Sequence, residues 1–261
     1  MIELTPDQID LWLAFSHEDD DESSLASYRT LLSTAEKRQE TRLHFAKDRR
    51  QYLLTRALVR TVMSRYAPIR PEDWAFSTNA QGRPEIANPP GHEPPLSFNL
   101  SHSQHLVVLG VTRGRALGVD VENVRDQEAP MDVVRAFFSP PEADALAALP
   151  PAQQHDRFFE YWTLKESYVK ARGLGLSIQL SEVGFRFLDD RTVDMVLQPQ
   201  LADDASRWQF WQFRPAPEYL VAVCTERHGA TRPELVVRKV ALNFEEELLF
   251  PTFLRTPGCA R

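Results

Sequence analysis

Cysteine is scarce in this chain of 261 residues. Cys224 and Cys259 are the only two, without metal-type spacing, which argues against a disulfide framework or a cysteine-based zinc site. Long hydrophobic runs are missing too. The densest, HLVVLGV at 105–111, falls far short of the ~18 residues of a membrane span and suits one buried strand. The chain opens MIELTPDQID and turns acidic at HEDDDE, with neither a basic leader nor an apolar secretory core, so it is expected in the cytoplasm, off the membrane. Positive charge is short as well. A net charge of −7 weighs against bulk nucleic-acid binding, which needs many cationic contacts to phosphate. Short-period repeats and low-complexity tracts are absent.

A hydrophobic content of 43% is enough for a real core, and the length fits one large domain or two small ones. The charge is uneven. Lys37, Arg38, Arg42, Lys47, Arg49, Arg50, Arg56, Arg60 and Arg65 face only Glu40 and Asp48 over the same stretch. That excess suits a small polyanion or an acidic partner, or simply a solvated helix face.

Helical spacing of Leu53, Leu54, Ala57, Leu58, Thr61 and Val62 predicts a first helix over about 48–66, before Pro68. WAFSTNAQGRPEI reads as a short strand entering a turn, and NPPGHEPP as a loop. SFNLSHS leads into the strands HLVVLGVT and ALGVDVE, joined by a tight RGR turn. The second half repeats the order. FFSPPEADALAAL is a helix with prolines in its first turn, and HDRFFEYWTLKESYVKARG is a longer one stopping at Gly173. Strands follow at VGFRF, RTVDMVL, WQFWQFR and YLVAVCTE. Two helix-then-sheet halves imply a pseudo-duplicated α+β protein with its site at the junction, divided as 1–118, 119–227 and a tail, 228–261, that the pattern leaves unplaced.

Three clusters carry possible chemistry. In GVDVE, residues two apart share a strand face, so Asp120 and Glu122 point one way while Val119 and Val121 face the core. Paired carboxylates suit a hard cation such as Mg²⁺; a lone D-x-E is more simply a solvated strand face. In YWTLKESYVKARGLG, Trp162, Glu166 and Lys170 form one helical stripe. Glu166 suits a third metal ligand or a general base, and Lys170 suits a developing phosphate charge; the plainer reading is a surface ion pair worth about 0.2–0.5 kcal/mol. In FNLSHS, Ser101 and His102 suit phosphate binding or the start of a nucleophilic triad, though no G-x-S-x-G elbow accompanies them.

Taken together, FNLSHS, GVDVE and YWTLKESYVKARGLGL, preceded by FSTNAQGRPEI, resemble in order and without gaps the motifs of the 4′-phosphopantetheinyl transferases of the surfactin-synthetase type. The resemblance spans roughly residues 30–225. It implies transfer of the phosphopantetheine arm of coenzyme A to a serine of an apo carrier protein, with release of adenosine 3′,5′-bisphosphate. By the same resemblance Asp120, Glu122 and Glu166 hold Mg²⁺, Glu166 serves as base directly or through water, and Lys170 stabilises the leaving bisphosphate. His102 and Ser101 would contact coenzyme A phosphates, and Gly82, Arg83 and Pro84 would line its nucleotide, putting coenzyme A phosphates on the N-terminal half. Trp162 is read as core packing that fixes the helix, and Gly173 and Gly175 as a stop and a turn. One departure is visible: where the family often has a basic residue before its first helix, the ungapped alignment puts Gln39, leaving Lys37 or Arg38 beside it for the 3′-phosphate. Acidic carriers would suit the basic segment as partners, and an internally duplicated chain can complete its site as a monomer. A metal-dependent nuclease and a non-catalytic binding module remain the rival readings.

Overall fold

The computed structural model describes residues 1–16, 22–88, 91, 94–125, 129–229, 232–240 and 245–257. Most of the acidic stretch HEDDDE, parts of the NPPGHEPP loop, and Cys259 lie outside the described residues.

The N-terminal lobe comprises β1 (Gln8–Phe15), α1 (Glu22–Leu31), α2 (Thr34–Arg42), α3 (Ala46–Met63), the short β2 (Phe76–Thr78) and β3 (Pro84–Ile86), β4 (Leu96–Ser103) and β5 (Leu106–Arg113). The C-terminal lobe comprises β6 (Leu117–Asn123), α4 (Val134–Phe137), α5 (Pro140–Ala147), α6 (Pro151–Arg172), β7 (Val183–Phe187), β8 (Thr192–Leu197), β9 (Trp208–Phe213) and β10 (Tyr219–Glu226). The tail adds β11 (Glu234–Val240), β12 (Glu246–Leu249) and β13 (Phe253–Pro257). The fold is α+β. No helix among the described residues is long and apolar enough to cross a membrane.

Two sheets carry the fold, in the orders β12-β11-β1-β5-β4 and β6-β10-β9-β13-β8-β7. They face each other. Leu11, Leu13 and Val108 from the first sheet pack with Val119, Val121, Trp211 and Val223 from the second in one buried cluster. The opposite face of the first sheet is covered by α1 and α3, and that of the second by α6. Helices outside and sheets inside leave both faces of β5 in apolar surroundings, which is why HLVVLGV shows no alternation.

The expected helix at 48–66 is α3, starting two residues earlier. The prolines of FFSPPEADALAAL do open a helix, α5, which starts at Pro140, and Phe138 and Ser139 separate it from the short α4 that ends at Phe137. α6 ends at Gly173, whose φ of 65° closes the last turn. Two expectations change. The strands around RGR do not form a hairpin: β5 pairs with β1 and β4, whereas β6 pairs with β10 in the other sheet. The division after residue 118 therefore falls inside β6. The tail is not a separate unit, because β11 pairs parallel with β1 and β13 inserts between β9 and β8.

Candidate active site

The position of α6 over β6 depends on Gly118. A Cβ there would lie inside the backbone of Ser167 and Ala171, so only glycine lets the helix rest directly on the strand. This contact brings the polar face of β6 under the stripe of α6. As expected, Val119 and Val121 point into the core between the sheets. Asp120 is buried on the other face, and Glu122 is half-buried two residues along it.

Lys170 does not pair with Glu166 on its own helix. Its ammonium donates to Asp120 Oδ1 and to Ser101 Oγ, both at 2.7 Å, and Ser101 Oγ donates to Asp120 Oδ1 at 3.1 Å. One residue from each of the three motifs thus meets at one point. The plain surface ion pair along α6 is not what forms. Glu166 and Lys170 instead line a cavity of about 590 Å³, together with Gly82, Arg83, Pro84, Asn99 and residues of the 173–180 segment. Burial, and then the negative charge of Asp120, hold the Glu166 carboxyl above the ordinary carboxylate range, with Lys170 opposing them. That is the direction a general base needs.

Some expected residues stand differently. Ser101 and His102 are neighbours on a strand and so face opposite sides; Ser101 joins the Lys170 cluster, while His102 is exposed on the other face. Desolvation, followed by the Lys170 charge, holds the His102 imidazole below its usual value. Gly82 turns the chain with a φ of 84°, and the space where its Cβ would stand is open. The Arg83 fork is engaged with protein carbonyls: Nη1 donates to Lys170 O and Ala171 O, and Nη2 to Phe98 O (3.3 Å) and Leu117 O (3.0 Å). Burial depresses its guanidinium. Lys37 is exposed on α2 and outside the cavity lining.

The basic segment is less free than its composition suggests. Arg60 is buried and pairs with Glu36 at 2.6 Å while donating to Trp74 O. Arg49 donates to the carbonyls of Leu43 and His44, and Arg65 pairs with Glu246. Lys37, Arg38, Arg42 and Lys47 remain exposed.

Two structural residues carry no sequence expectation. Lys165 is fully buried on the far side of α6, with Nζ 2.7 Å from Glu142 and donating to Leu180 O at 3.0 Å and to Val183 O. Glu142 accepts in turn from Ser139 and from Phe185 N–H, so this ion pair ties α5, α6 and the wall segment before β7 together. Trp162 does pack on the core, stacking on Phe158 with the rings 6.0 Å apart. The other missed residue is Asn99, whose Oδ1 accepts from Val119 N–H at 2.8 Å. The alternation of SFNLSHS, with Phe98 and Leu100 apolar between polar neighbours, was the available signal.

The acidic residues fit a hard cation in part. Asp120 Oδ2 is buried without a hydrogen-bond partner, and the donors Asp120, Glu122 and Glu166 all offer carboxylate oxygens. Among the described residues no three His, Cys, Asp or Glu side chains converge into a ready-made cage. Mg²⁺ suits such an open arrangement, because it keeps several waters and shares substrate oxygens.

Comparison with known proteins finds family matches along both lobes. Residues 17–113 match the family described as 4′-phosphopantetheinyl transferase, N-terminal, and residues 116–224 match the 4′-phosphopantetheinyl transferase superfamily. The 4′-phosphopantetheinyl transferase HetI of Nostoc sp. (strain PCC 7120) is 30% identical over 226 residues, 87% of this chain and 91% of its own. The 4′-phosphopantetheinyl transferase Sfp of Bacillus subtilis (strain 168) is 31% identical over 214 residues, 82% of this chain and 88% of its own. The holo-[acyl-carrier-protein] synthase of Thermotoga maritima overlaps 43% of this chain and 62% of its own, with 16% identity and a TM-score of 0.35. The chain belongs to the 4′-phosphopantetheinyl transferase family and is an enzyme of that kind.

Proposed function

We propose that this enzyme moves the phosphopantetheine arm of coenzyme A onto a serine of an apo acyl or peptidyl carrier protein and releases adenosine 3′,5′-bisphosphate. The observation that carries the reading is the meeting of Ser101, Asp120 and Lys170 at one point, beside a cavity lined by Lys170 and the half-buried Glu166. Glu166, with its raised proton affinity, takes the proton of the carrier serine as the serine oxygen bonds to the pantetheine-side phosphorus. The bond from that phosphorus to the oxygen bridging the two phosphates breaks, and the bisphosphate leaves with the electron pair. Lys170 faces the charge that develops there. Asp120, Glu122 and Glu166 would hold Mg²⁺, which when bound neutralises pyrophosphate charge. Ser101 and His102 are assigned to coenzyme A phosphates, with Lys37 as a candidate for the 3′-phosphate. The Gly82–Arg83–Pro84 turn lines the same cavity. We place the protein in the cytoplasm as a monomer, since one chain supplies the lining of the cavity. The exposed cations of α2 and of the first turn of α3 offer an acidic carrier complementary charge.

Incubation with coenzyme A, Mg²⁺ and an apo carrier protein should raise the carrier mass by about 340 Da, one phosphopantetheine arm. An unchanged carrier mass across fatty-acid, polyketide and peptide carriers would refute the reading.

A further inference from the structure

β4 and β6 are edge strands of different sheets, and side chains join them. Asn99 Oδ1 accepts from Val119 N–H at 2.8 Å, Ser101 Oγ from Val121 N–H at 3.3 Å, and Ser103 Oγ from Asn123 N–H at 2.9 Å. The offset is twenty residues at every rung, so the two strands run parallel in one fixed register. β6 has β10 on its other side, and on its free edge these three buried amides are met by side chains of β4. Arg83 closes one end of the seam, since its Nη2 donates to a carbonyl of each strand, Phe98 on β4 and Leu117 on β6.

We infer that this side-chain seam is a positioning device for the proposed transfer, with Asn99, Ser103 and Arg83 as its positioning residues. The inference rests on the transferase reading. β4 supplies Ser101, whereas β6 supplies Asp120 and Glu122, and the cluster exists only while the strands keep this register. A slip of one residue would turn both carboxylates into the apolar layer between the sheets, and a slip of two would carry Asp120 about 6.6 Å from Ser101. The seam also orients the Ser101 hydroxyl. Its oxygen accepts from Val121 N–H and from Lys170, which leaves its hydrogen directed at Asp120. Ser103 is the cleanest member to test. It is outside the cavity lining and acts through the Asn123 amide, next to Glu122.

Amide hydrogen exchange by NMR on the wild-type protein should show Val119, Val121 and Asn123 all strongly protected. Ser103→Ala should speed exchange at Asn123 selectively, by about tenfold or more. It should also lower kcat about five- to tenfold per folded molecule, in line with the sensitivity of transfer to small misplacements, with KM for coenzyme A and carrier within twofold of wild type. Ser103→Thr keeps the hydroxyl and should restore both readings. Faster exchange at Asn123 with kcat unchanged would make the rung merely structural and overturn the inference. So would free exchange of the three amides in the wild type, a result that needs no variant to fold. Protected amides in a wild type that adds nothing to any carrier would sink the transferase reading, and the positioning role with it.

Discussion

Lys170 is a donor shared between lobes, and its removal has two separable effects. It faces the proposed leaving group, and it is also the ion-pair partner of buried Asp120, whose side chain is 5% exposed. Lys170→Ala should therefore lower single-turnover rates severely at saturating coenzyme A and also lower the melting temperature, because a buried carboxylate loses its cation. Glu166→Gln keeps size and polarity and should cut turnover at least about a hundredfold, with a melting temperature at or slightly above wild type. The sign of that second expectation follows from linkage. A carboxyl whose folded value is raised contributes stability that is complete below its unfolded value and is lost as pH rises through the folded one, so ionised Glu166 burdens the fold at neutral pH. An NMR titration of the metal-free protein should place the Glu166 carboxyl above the ordinary ~4.3. Asp120→Asn should bring it down, and Lys170→Met should push it further up; unmoved midpoints in both variants would separate Glu166 from the cluster. The stripe of Trp162, Glu166 and Lys170 was legible from spacing alone. That Lys170 turns to Asp120 was not, because a strand fifty residues away in the chain had to be brought beneath it.

α6 and β6 form the element pair on which the site is built, and Gly118 sets their separation. Gly118→Ala would force a Cβ into the backbone of Ser167 and Ala171, and backbone cannot swing aside as a flexible side chain does. The helix should lift, separating Lys170 from Asp120, so activity should fall by well over tenfold and the melting temperature with it. A crystal structure of the variant with α6 unmoved and normal turnover would refute this. Arg83 has a similar standing at the seam. Since its fork holds four backbone carbonyls from β4, β6 and α6, Arg83→Ala should cost about 2–3 kcal/mol in denaturant unfolding in addition to any change in the coenzyme A requirement. A variant as stable as wild type would show the carbonyls to be satisfied by water. The sequence made both elements readable: alternation marked β6, and helical periodicity up to Gly173 marked α6. The assignment of β5 and β6 to different sheets was hidden, since a tight turn between two strands reads as a hairpin whether or not the strands pair. The layer of helices over α3's sheet was only partly visible, because TAEKRQETR in α2 is polar along nearly its whole length and shows little apolar period.

At the scale of the whole molecule the tail, unplaced by its sequence pattern, fastens both lobes. β11 lies beside β1, and β13 fills the gap between β9 and β8, where Arg255 pairs with Glu160 at 3.0 Å. Its strands are short and carry charges, so composition alone gave them no partner. Truncation after Val240 removes β12 and β13 and leaves β8 and β9 as open edges. The truncated protein should melt several degrees lower and aggregate on standing, as unpaired edges do; light scattering that stays flat would argue that β13 is dispensable. The pairing of β1 with β11 also has a consequence for the order in which the protein is made. Gln8 is matched to Glu234, so everything between them must leave the ribosome before β1 gains its second neighbour. Until then β1 is the bare margin of a nascent sheet, and the N-terminal lobe, made first, is completed only after the C-terminal one has been synthesised.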